Sequence, residues 1–254
     1  MRNVLLTAVA AVSVLVLAVA AHAITNGGPD GTGHPEVGAM LAPHAYSDGT
    51  WEVCTGTLIS PTVFLTAAHC EGDGQVSVTF DPSYNAETGK TYTGKWHADP
   101  AYNKSQSDPH DLAVIVFTQP VTGITPARLP KLGQLDSLKH GDGITSVGYG
   151  AQSVTMGAGG ATFHYADIRY VATGSVNALT STWIRASMNP STGDGGTCYG
   201  DSGGPNFLGA GLTETNIVAG TTITGDFVCR ATNVDYRLDT ASARGFLGQY
   251  VALP

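Results

Sequence analysis

The chain has 254 residues and is acidic, because its 20 aspartates and glutamates outnumber its 12 lysines and arginines and leave a formal net charge of −8. This length allows one large domain, or two closely packed halves, with a substantial buried core. The acidic balance, without any run of basic residues, argues against nucleic acid or an anionic membrane as a partner. The sequence contains no C-x-x-C pair and no H-E-x-x-H motif, so it predicts neither a metal site nor another cofactor.

Residues 1–23 have the features of a secretory signal peptide. Arg2 gives the amino end a positive charge, Val4–Ala20 is largely apolar, and Ala21–Ala23 has the small-x-small form of a cleavage site. A membrane anchor is the alternative, but the apolar run is at the lower limit of a span and no stop-transfer charge cluster follows it. The sequence therefore predicts a secreted, extracellular protein whose mature chain begins at Ile24.

Short runs typical of β-strands follow along the chain. Val76–Phe80 and Ala166–Tyr170 alternate apolar and polar residues, and Leu112–Phe117 is a continuous apolar run of strand length. Turn-forming clusters such as Glu71–Gly74 separate these runs. Because strands do not alternate with helices, the sequence predicts an all-β fold.

One helical pattern occurs, close to the carboxyl terminus. Apolar residues recur there with the spacing of one helix face, and Asp239 or Thr240 could cap the helix. The apolar positions are Ala243, Phe246, Leu247, Tyr250 and Val251. We therefore expect a terminal α-helix packed by this face against the rest of the protein.

A serine and a histidine lie in unusual local contexts, Ser202 within Gly200–Pro205 and His69 within Thr66–Cys70. A serine hydroxyl becomes an effective nucleophile when a general base takes its proton, which is a role for a histidine. The glycines allow a tight turn, so that the amide groups of Gly200 and Ser202 can point at one oxyanion. The segment also fits the G-x-S-x-G pattern of α/β-hydrolases, but that fold needs a histidine after the serine, and none of the eight histidines follows Ser202.

Three segments together resemble the signatures of the trypsin/chymotrypsin family of serine peptidases. They are Thr66–Cys70, His110–Ala113 and Cys198–Pro205, and they occur in the order His, Asp, Ser that this family uses. Cys54–Ser60 resembles the strand that leads to the histidine, and Asp99–Tyr102 resembles the loop that leads to the aspartate.

The resemblance covers residues 24–254 and implies one peptidase domain built from two packed six-stranded antiparallel β-barrels and a C-terminal α-helix. It places the N-terminal barrel at about 24–125 and the C-terminal barrel with the helix at about 141–254. The segment Thr125–Gly143 would connect them, and the active site would lie in the cleft between them. We expect a monomer that acts on protein or peptide substrates.

The resemblance also implies a serine endopeptidase that works through a catalytic triad and an acyl-enzyme. Ser202 would be the nucleophile, His69 the general base, and Asp111 the carboxylate that holds the imidazole. Asp108 competes for the third role, but Asp111 directly precedes the buried run Leu112–Phe117 and can be held more rigidly. Gly200 and Ser202 would supply the oxyanion hole.

Asp201 has a separate role in the family, where it pairs with a freed amino terminus and so orders the oxyanion hole. Ile24–Gly27 resembles the family's Ile-Val-Gly-Gly start, although Thr25 and Asn26 depart from it. The resemblance therefore implies that the ammonium group of Ile24 pairs with Asp201 once the signal peptide is removed.

The four cysteines of an exported chain are expected to form two disulfides. The sequence alone allows three connectivities. The family resemblance selects Cys54–Cys70, which would fix the segment that carries His69, and Cys198–Cys229, which would brace the wall beside the nucleophile.

Substrate preference is expected to follow from the residue six positions before the nucleophile, at the base of the family's primary pocket. Here that residue is Gly196, followed by Thr197, so the aspartate of trypsins is missing. Ala219, Gly220 and Thr221 resemble the strand edge that pairs with the substrate backbone. The sequence therefore predicts an uncharged side chain before the scissile bond.

Two alternatives stay open at this stage. Asp194 or Asp226 could act as a relocated counter-ion and restore a preference for lysine or arginine, and the chain could be a non-catalytic member that binds partners through the same fold. The resemblance disfavours the second alternative, because every triad residue and oxyanion glycine is present. Asn103 begins a three-residue glycosylation sequon, a pattern that occurs often by chance.

Overall fold

The computed structural model describes residues 24–254, so the predicted signal peptide lies outside the described residues. Strands β1 to β7 are Gly28–Pro29, Val37–Leu41, Glu52–Ser60, Val63–Thr66, Gln75–Thr79, Thr91–Ala98 and Ala113–Phe117. Strands β8 to β15 are Gly143–Gly148, Ser153–Gly157, Gly160–His164, Tyr170–Leu179, Trp183–Ser187, Pro205–Leu208, Val218–Gly225 and Thr232–Arg237, and helix α1 is Ala241–Leu247. Within this range no helix is long and apolar enough to cross a membrane.

Strands β2 to β7 form a closed antiparallel barrel in the order β2-β3-β4-β7-β6-β5. Its interior is filled by aromatic rings, with the Phe64 ring centroid 5.7 Å from that of Phe80 and 6.2 Å from that of Phe117. Gly56 makes room for them, because a Cβ there would lie 2.5 Å from the ring of Phe64, and a Cβ on Gly38 would crowd the rings of Phe80 and Phe64 at 3.0 and 3.1 Å. The first barrel thus has a closely packed apolar core.

Strands β8 and β11 to β15 form the second barrel, in the order β8-β11-β12-β15-β14-β13, and it closes because β13 pairs with β8. Strands β9 and β10 form a separate two-stranded hairpin. These two six-stranded antiparallel barrels and the terminal helix confirm the predicted fold class.

A shared cluster of buried apolar side chains joins the two barrels. Leu65 and Val114 come from the first barrel, and Phe207 and Val218 come from the second. Because neither barrel can move without opening this cluster, residues at its edge hold fixed positions across the cleft.

The amino-terminal segment differs from the predicted division into halves. Strand β1 pairs with β11 of the second barrel, and Thr25 forms an isolated bridge with Gly196. Residues 24–29 therefore pack with the second barrel, although they precede the first one in sequence. The other predicted bounds of the two halves stay predictions.

Helix α1 begins where the periodicity predicted a helix, and Thr240 caps it by accepting a hydrogen bond from the amide of Ala243 (3.1 Å). Ala243 and Phe246 lie in the shared core. The helix ends at Leu247, so the last positions of the apolar pattern follow it as a turn that still packs against this core.

Two of the three predicted strand runs are confirmed as β5 and β7, and the third is wrong. At the start of Ala166–Tyr170 the chain turns through Asp167 in the left-handed region (φ 50°), and strand β11 begins only at Tyr170. The Asp167 carboxylate accepts hydrogen bonds from the amides of Trp51 and Glu52 at 2.9–3.0 Å. These hydrogen bonds hold Asp167 against the start of β3, so the alternating run does not form a strand.

Candidate active site

His69 and Asp111 meet because adjacent strands carry them. Strand β4 ends just before a short 3₁₀ turn at Ala68–Cys70, and its neighbour β7 begins just after Asp111. The Asp111 carboxylate accepts from the His69 backbone amide at 2.9 Å and lies 2.8 Å from its Nδ1 atom. Asp111 is only 3% exposed, so this contact fixes the imidazole from two sides.

Asp108, the competing carboxylate, faces a different partner. Its carboxylate accepts a hydrogen bond of 2.5 Å from the hydroxyl of Tyr236 in the second barrel. Asp108 therefore ties the loop before β7 to the second barrel and leaves the contact with His69 to Asp111.

The segment around Ser202 is a tight loop pressed against the first barrel. Gly200 and Gly203 have φ angles of 96° and 77°, values that side chains disfavour. A Cβ on Gly203 would overlap the side chain of Thr66 and lie 2.6 Å from the Ala67 amide nitrogen, two residues before the histidine. Glycine at this position thus allows the serine loop to approach the segment that carries the base.

Ser202 and His69 line one cavity of 290 Å³. The other lining residues come from the serine loop, from the end of β14 and from the loop after it: Thr197, Cys198, Tyr199, Thr222, Ile223, Thr224, Gly225, Asp226 and Cys229. The structure thus brings the predicted base and nucleophile to the same concave surface, which is where a substrate would need to bind.

Of the predicted pocket residues, Thr197 lines this cavity, but Gly196 and Ala219–Thr221 do not. Ala219 is fully buried, and Gly220 and Thr221 are paired on both sides within the sheet. Strand β14 continues to Gly225, so Thr222–Gly225 at its end line the cavity. The position of Cys229 in the sequence could have indicated this, because its disulfide bond to the serine loop brings the residues just before Cys229 to the cavity wall.

A chain of buried hydrogen bonds lies behind this cavity, and sequence reasoning missed it. Thr197 donates to the side-chain oxygen of Asn233 at 2.7 Å, and the Asn233 amide donates to Asn206 at 2.9 Å. The Asn206 amide in turn donates to Asp235 at 2.7 Å and to Thr222 at 3.0 Å. The base of the cavity is therefore polar and rigidly oriented.

The two acidic alternatives for a counter-ion occupy different places. Asp226 lines the cavity, but its carboxylate accepts backbone hydrogen bonds from Arg230, Ala231 and Thr232 at 2.7–3.2 Å. Asp194 accepts from hydroxyl groups and lines a separate polar cavity.

The model that describes the family named Trypsin matches residues 34–243, which is most of the chain. The chain belongs to the trypsin family. Family membership identifies it as a serine endopeptidase.

Curated relatives and a solved structure agree with this assignment. This trypsin-family chain is 32% identical to a brachyurin from Leptuca pugilator over 177 residues, covering 66% of the chain and 77% of the relative. It is 31% identical over 172 residues to a trypsin from Phaedon cochleariae, covering 61% of the chain and 64% of that relative. The structure of neuropsin, described as a serine protease of the mouse limbic system, aligns with a TM-score of 0.63 over 84% of this chain and 94% of its own, and at 20% identity this bears on the fold alone.

The two disulfides of this trypsin-family chain join the predicted pairs. Cys54 is bonded to Cys70, which ties β3 to the turn that carries the base, and Cys198 is bonded to Cys229. The second bond links the start of the serine loop to the loop after β14, and both of its cysteines line the cavity.

Asp201 is fully buried directly beneath the serine loop. Its carboxylate accepts hydrogen bonds of 2.8 Å from the amides of Gly150 and Cys198. Burial nevertheless raises the pKa of Asp201 to about 7, because those two bonds only partly replace the lost water. Ile24 is also fully buried and packs against Tyr170. The strand partner of Tyr170 in β8 is Gly148, where a Cβ would collide with the Asp201 carboxylate.

Proposed function

We propose that this trypsin-family endopeptidase cleaves peptide bonds with Ser202 as nucleophile, His69 as general base and Asp111 as the carboxylate that orients the base. The observation that carries the proposal is the His69–Asp111 contact at 2.8 Å together with a cavity lined by both His69 and Ser202. In the proposed reaction His69 carries a proton first from Ser202 to the leaving amine and then from water back to Ser202.

Ser202 Oγ attacks the substrate carbonyl carbon while His69 takes the hydroxyl proton. The carbonyl oxygen becomes negative, and the amides of Gly200 and Ser202 donate hydrogen bonds to it. His69 then gives its proton to the leaving amine as the C–N bond breaks, which leaves an acyl-enzyme. A water attacks that ester with the same base, and Ser202 regains its proton. Asp111 stabilises the imidazolium in both halves of the reaction.

Ser202→Ala tests this assignment. We expect kcat/KM on a casein-derived peptide to fall at least about 10⁴-fold, because no nucleophile remains. Ser181→Ala is the matched control, since that serine is exposed and far from the cavity in sequence. Cleavage by Ser202→Ala at the wild-type rate would refute the proposed role. A failure of the wild-type protein to react with an organophosphorus serine probe would favour a non-catalytic binding function.

We also propose that a freed Ile24 ammonium pairs with Asp201. A buried carboxylate with only two backbone donors is costly to ionise, and a cation would remove that cost. Amino-terminal sequencing of the secreted protein should give a start at Ile24. A variant extended by two residues before Ile24 should lose most of its activity, and full activity in that variant would contradict the pairing.

An uncharged side chain before the scissile bond is the preference we propose. The Thr197 hydroxyl donates to the Asn233 oxygen, the Asn233 amide donates to Asn206, and the Asp226 carboxylate accepts from backbone amides. Asp235 lies deeper, outside the lining of the cavity, and its full burial raises its pKa well above the usual range, which disfavours the charged form. A cationic side chain would lose its water here without finding a free carboxylate.

Matched peptides with Ala, Leu, Phe, Lys or Arg before the cleaved bond test this preference. We expect the highest kcat/KM among the first three. A strong preference for Lys or Arg would instead implicate Asp226 or Asp194 as the counter-ion, and replacing each by Asn would identify which one acts.

Finally, we propose that the protein is secreted and works as a monomer on protein or peptide substrates, without nucleic acid or a membrane as partner. The predicted signal peptide, the two disulfides and the acidic net charge of −8 support this. Size-exclusion chromatography with light scattering on the secreted protein checks the monomer.

A further inference from the structure

A second cavity, of 340 Å³, borders Gly200 but not Ser202, and no step of the proposed reaction uses it. Two carboxylates and two tyrosine rings line it. They belong to Asp48, Glu52, Tyr46 and Tyr165. This second cavity is therefore acidic and aromatic.

Glu52 is the unusual member of this set. It is only 5% exposed, and its Oε1 atom has no hydrogen-bond partner among residues 24–254. Burial raises the pKa of Glu52 well above its usual range, and the nearby carboxylates of Asp201 and Asp167 raise it further. A buried carboxylate oxygen left without a donor among these residues is unfavourable in the absence of a ligand, and a bound cation would remove that cost.

The cavity borders the part of the serine loop that contacts β3, the strand bonded to the turn that carries the base. Thr55, three residues after Glu52, donates from its amide to the Ser202 carbonyl and from its hydroxyl to the Gly200 carbonyl, at 3.0 and 3.1 Å. Cys54 is bonded to Cys70, the residue next to the histidine that protonates the leaving amine. The start of β3 therefore runs from that base along the serine loop to the acidic cavity.

We propose that this cavity binds the guanidinium or ammonium group of an arginine or lysine side chain located after the scissile bond. The inference rests on the proposed peptidase function and adds to it a charge preference on the leaving-group side. Glu52 supplies a buried carboxylate, and Asp48 adds a charge at the exposed rim, where hydrogen bonds from Thr50 lower its pKa and keep it ionised.

An organic cation suits these residues better than a metal ion. Within residues 24–254 no group of three or more His, Cys, Asp or Glu side chains converges as a metal site would require. The rings of Tyr46 and Tyr165 can instead lie against a flat guanidinium, which favours aromatic faces as well as carboxylates. The volume is within the range of pockets that bind small organic groups.

The test uses internally quenched peptides with one fixed neutral residue before the cleaved bond. Arginine is placed at the first, second or third position after that bond, and each peptide is compared with its citrulline twin, which keeps the shape and lacks the charge. We expect kcat/KM to favour arginine about tenfold at one position, and the ratio to fall as ionic strength rises.

The ratio should drop to about twofold or less in Glu52→Gln, while Glu87→Gln, which removes an exposed carboxylate elsewhere, should keep the wild-type ratio. Equal cleavage of arginine and citrulline peptides by the wild type, or an unchanged ratio in Glu52→Gln, overturns the proposal. The wild-type ratio and its salt dependence decide the question even if Glu52→Gln does not fold. Failure to cleave any peptide would refute the proposed peptidase function instead.

Discussion

The interiors of the two barrels are built differently. Phenylalanine rings such as Phe64 and Phe80 fill the first barrel, and the buried side chains that pack around them are mostly apolar. The second barrel encloses Asn206, Asn233 and Asp235, which are fully buried and joined by hydrogen bonds. An apolar core is held by the close fit of its surfaces, whereas a polar one is held only while every donor and acceptor stays paired.

This difference matches the tasks of the two halves at the cavity. The first barrel places His69 and Asp111 from two adjacent strands, and a rigid apolar core is enough to keep that geometry. The second barrel supplies Ser202 and most of the cavity wall, and its buried polar chain ends at Thr197 and Thr222, which line that wall. We infer that substrate preference is set by hydrogen bonds in the second barrel.

The largest expected effect on stability comes from removing a side chain at the centre of the apolar core. Phe64→Ala should lower the free energy of unfolding by about 3–5 kcal/mol, because the cavity it leaves cannot close inside a barrel. Denaturant titration of the variant in a Ser202→Ala background, which removes self-cleavage, measures this. Phe227→Ala is the control, since its side chain is 62% exposed and its loss should cost less than about 0.5 kcal/mol. A loss below about 1 kcal/mol for Phe64→Ala would contradict the role given to this core.

A smaller loss of stability, together with a loss of activity, is expected from a substitution in the polar interior. Asn206→Ala should lower the free energy of unfolding by about 2–3 kcal/mol, because it leaves buried partners unpaired, among them Asp235 and Asn233. It should also lower kcat/KM in a Ser202-containing protein, since Thr222 loses its donor at the cavity wall. The exposed Asn177→Ala serves as the control. An unchanged kcat/KM in Asn206→Ala would show that this chain of hydrogen bonds does not affect substrate binding.

The sequence predicted the parts of the site that are local and chemically distinctive. The histidine, aspartate and serine segments each carry their signature within a few residues, and both disulfide pairs followed from the resemblance and are confirmed. The polar chain was not predicted, because one asparagine in a strand, such as Asn206, looks like an outward-facing residue until the barrel closes around it. Glu52 was missed for the same reason.

Two differences between sequence and structure have related causes. The run around Asp167 alternates like a strand, but its carboxylate binds backbone amides more than a hundred residues away in sequence. Ala219–Thr221 were predicted to pair with the substrate backbone, which stays a prediction, whereas Thr222–Gly225 line the cavity, because the extent of β14 depends on its two neighbours in the sheet. Both differences concern distant pairings, which local patterns do not encode.

The smallest expected effect concerns the contact between the barrels, where His34 lies between Asp30 and Glu214. The two ring nitrogens are 2.6 and 2.7 Å from these carboxylates. Burial would lower the pKa of His34, but the two carboxylates outweigh it and raise the value to about 9. Because the folded state binds this proton more tightly than the unfolded state, the stabilisation is complete below pH 6.5 and is lost as the pH rises through about 9.

We therefore expect wild-type stability to exceed that of His34→Gln by about 1–2 kcal/mol at pH 6, with the difference shrinking toward pH 10. Denaturant titrations of both proteins across this range, again in the Ser202→Ala background, measure the difference directly and cancel other groups that titrate there, including Asp201. His164→Gln is the control, because this histidine is exposed and its ring lies 3.0 Å from a threonine hydroxyl of the same hairpin, with no carboxylate paired with it among residues 24–254. A difference that stays constant from pH 6 to pH 10 would mean that His34 stabilises the contact between the barrels by packing on Phe207 and not by its charge.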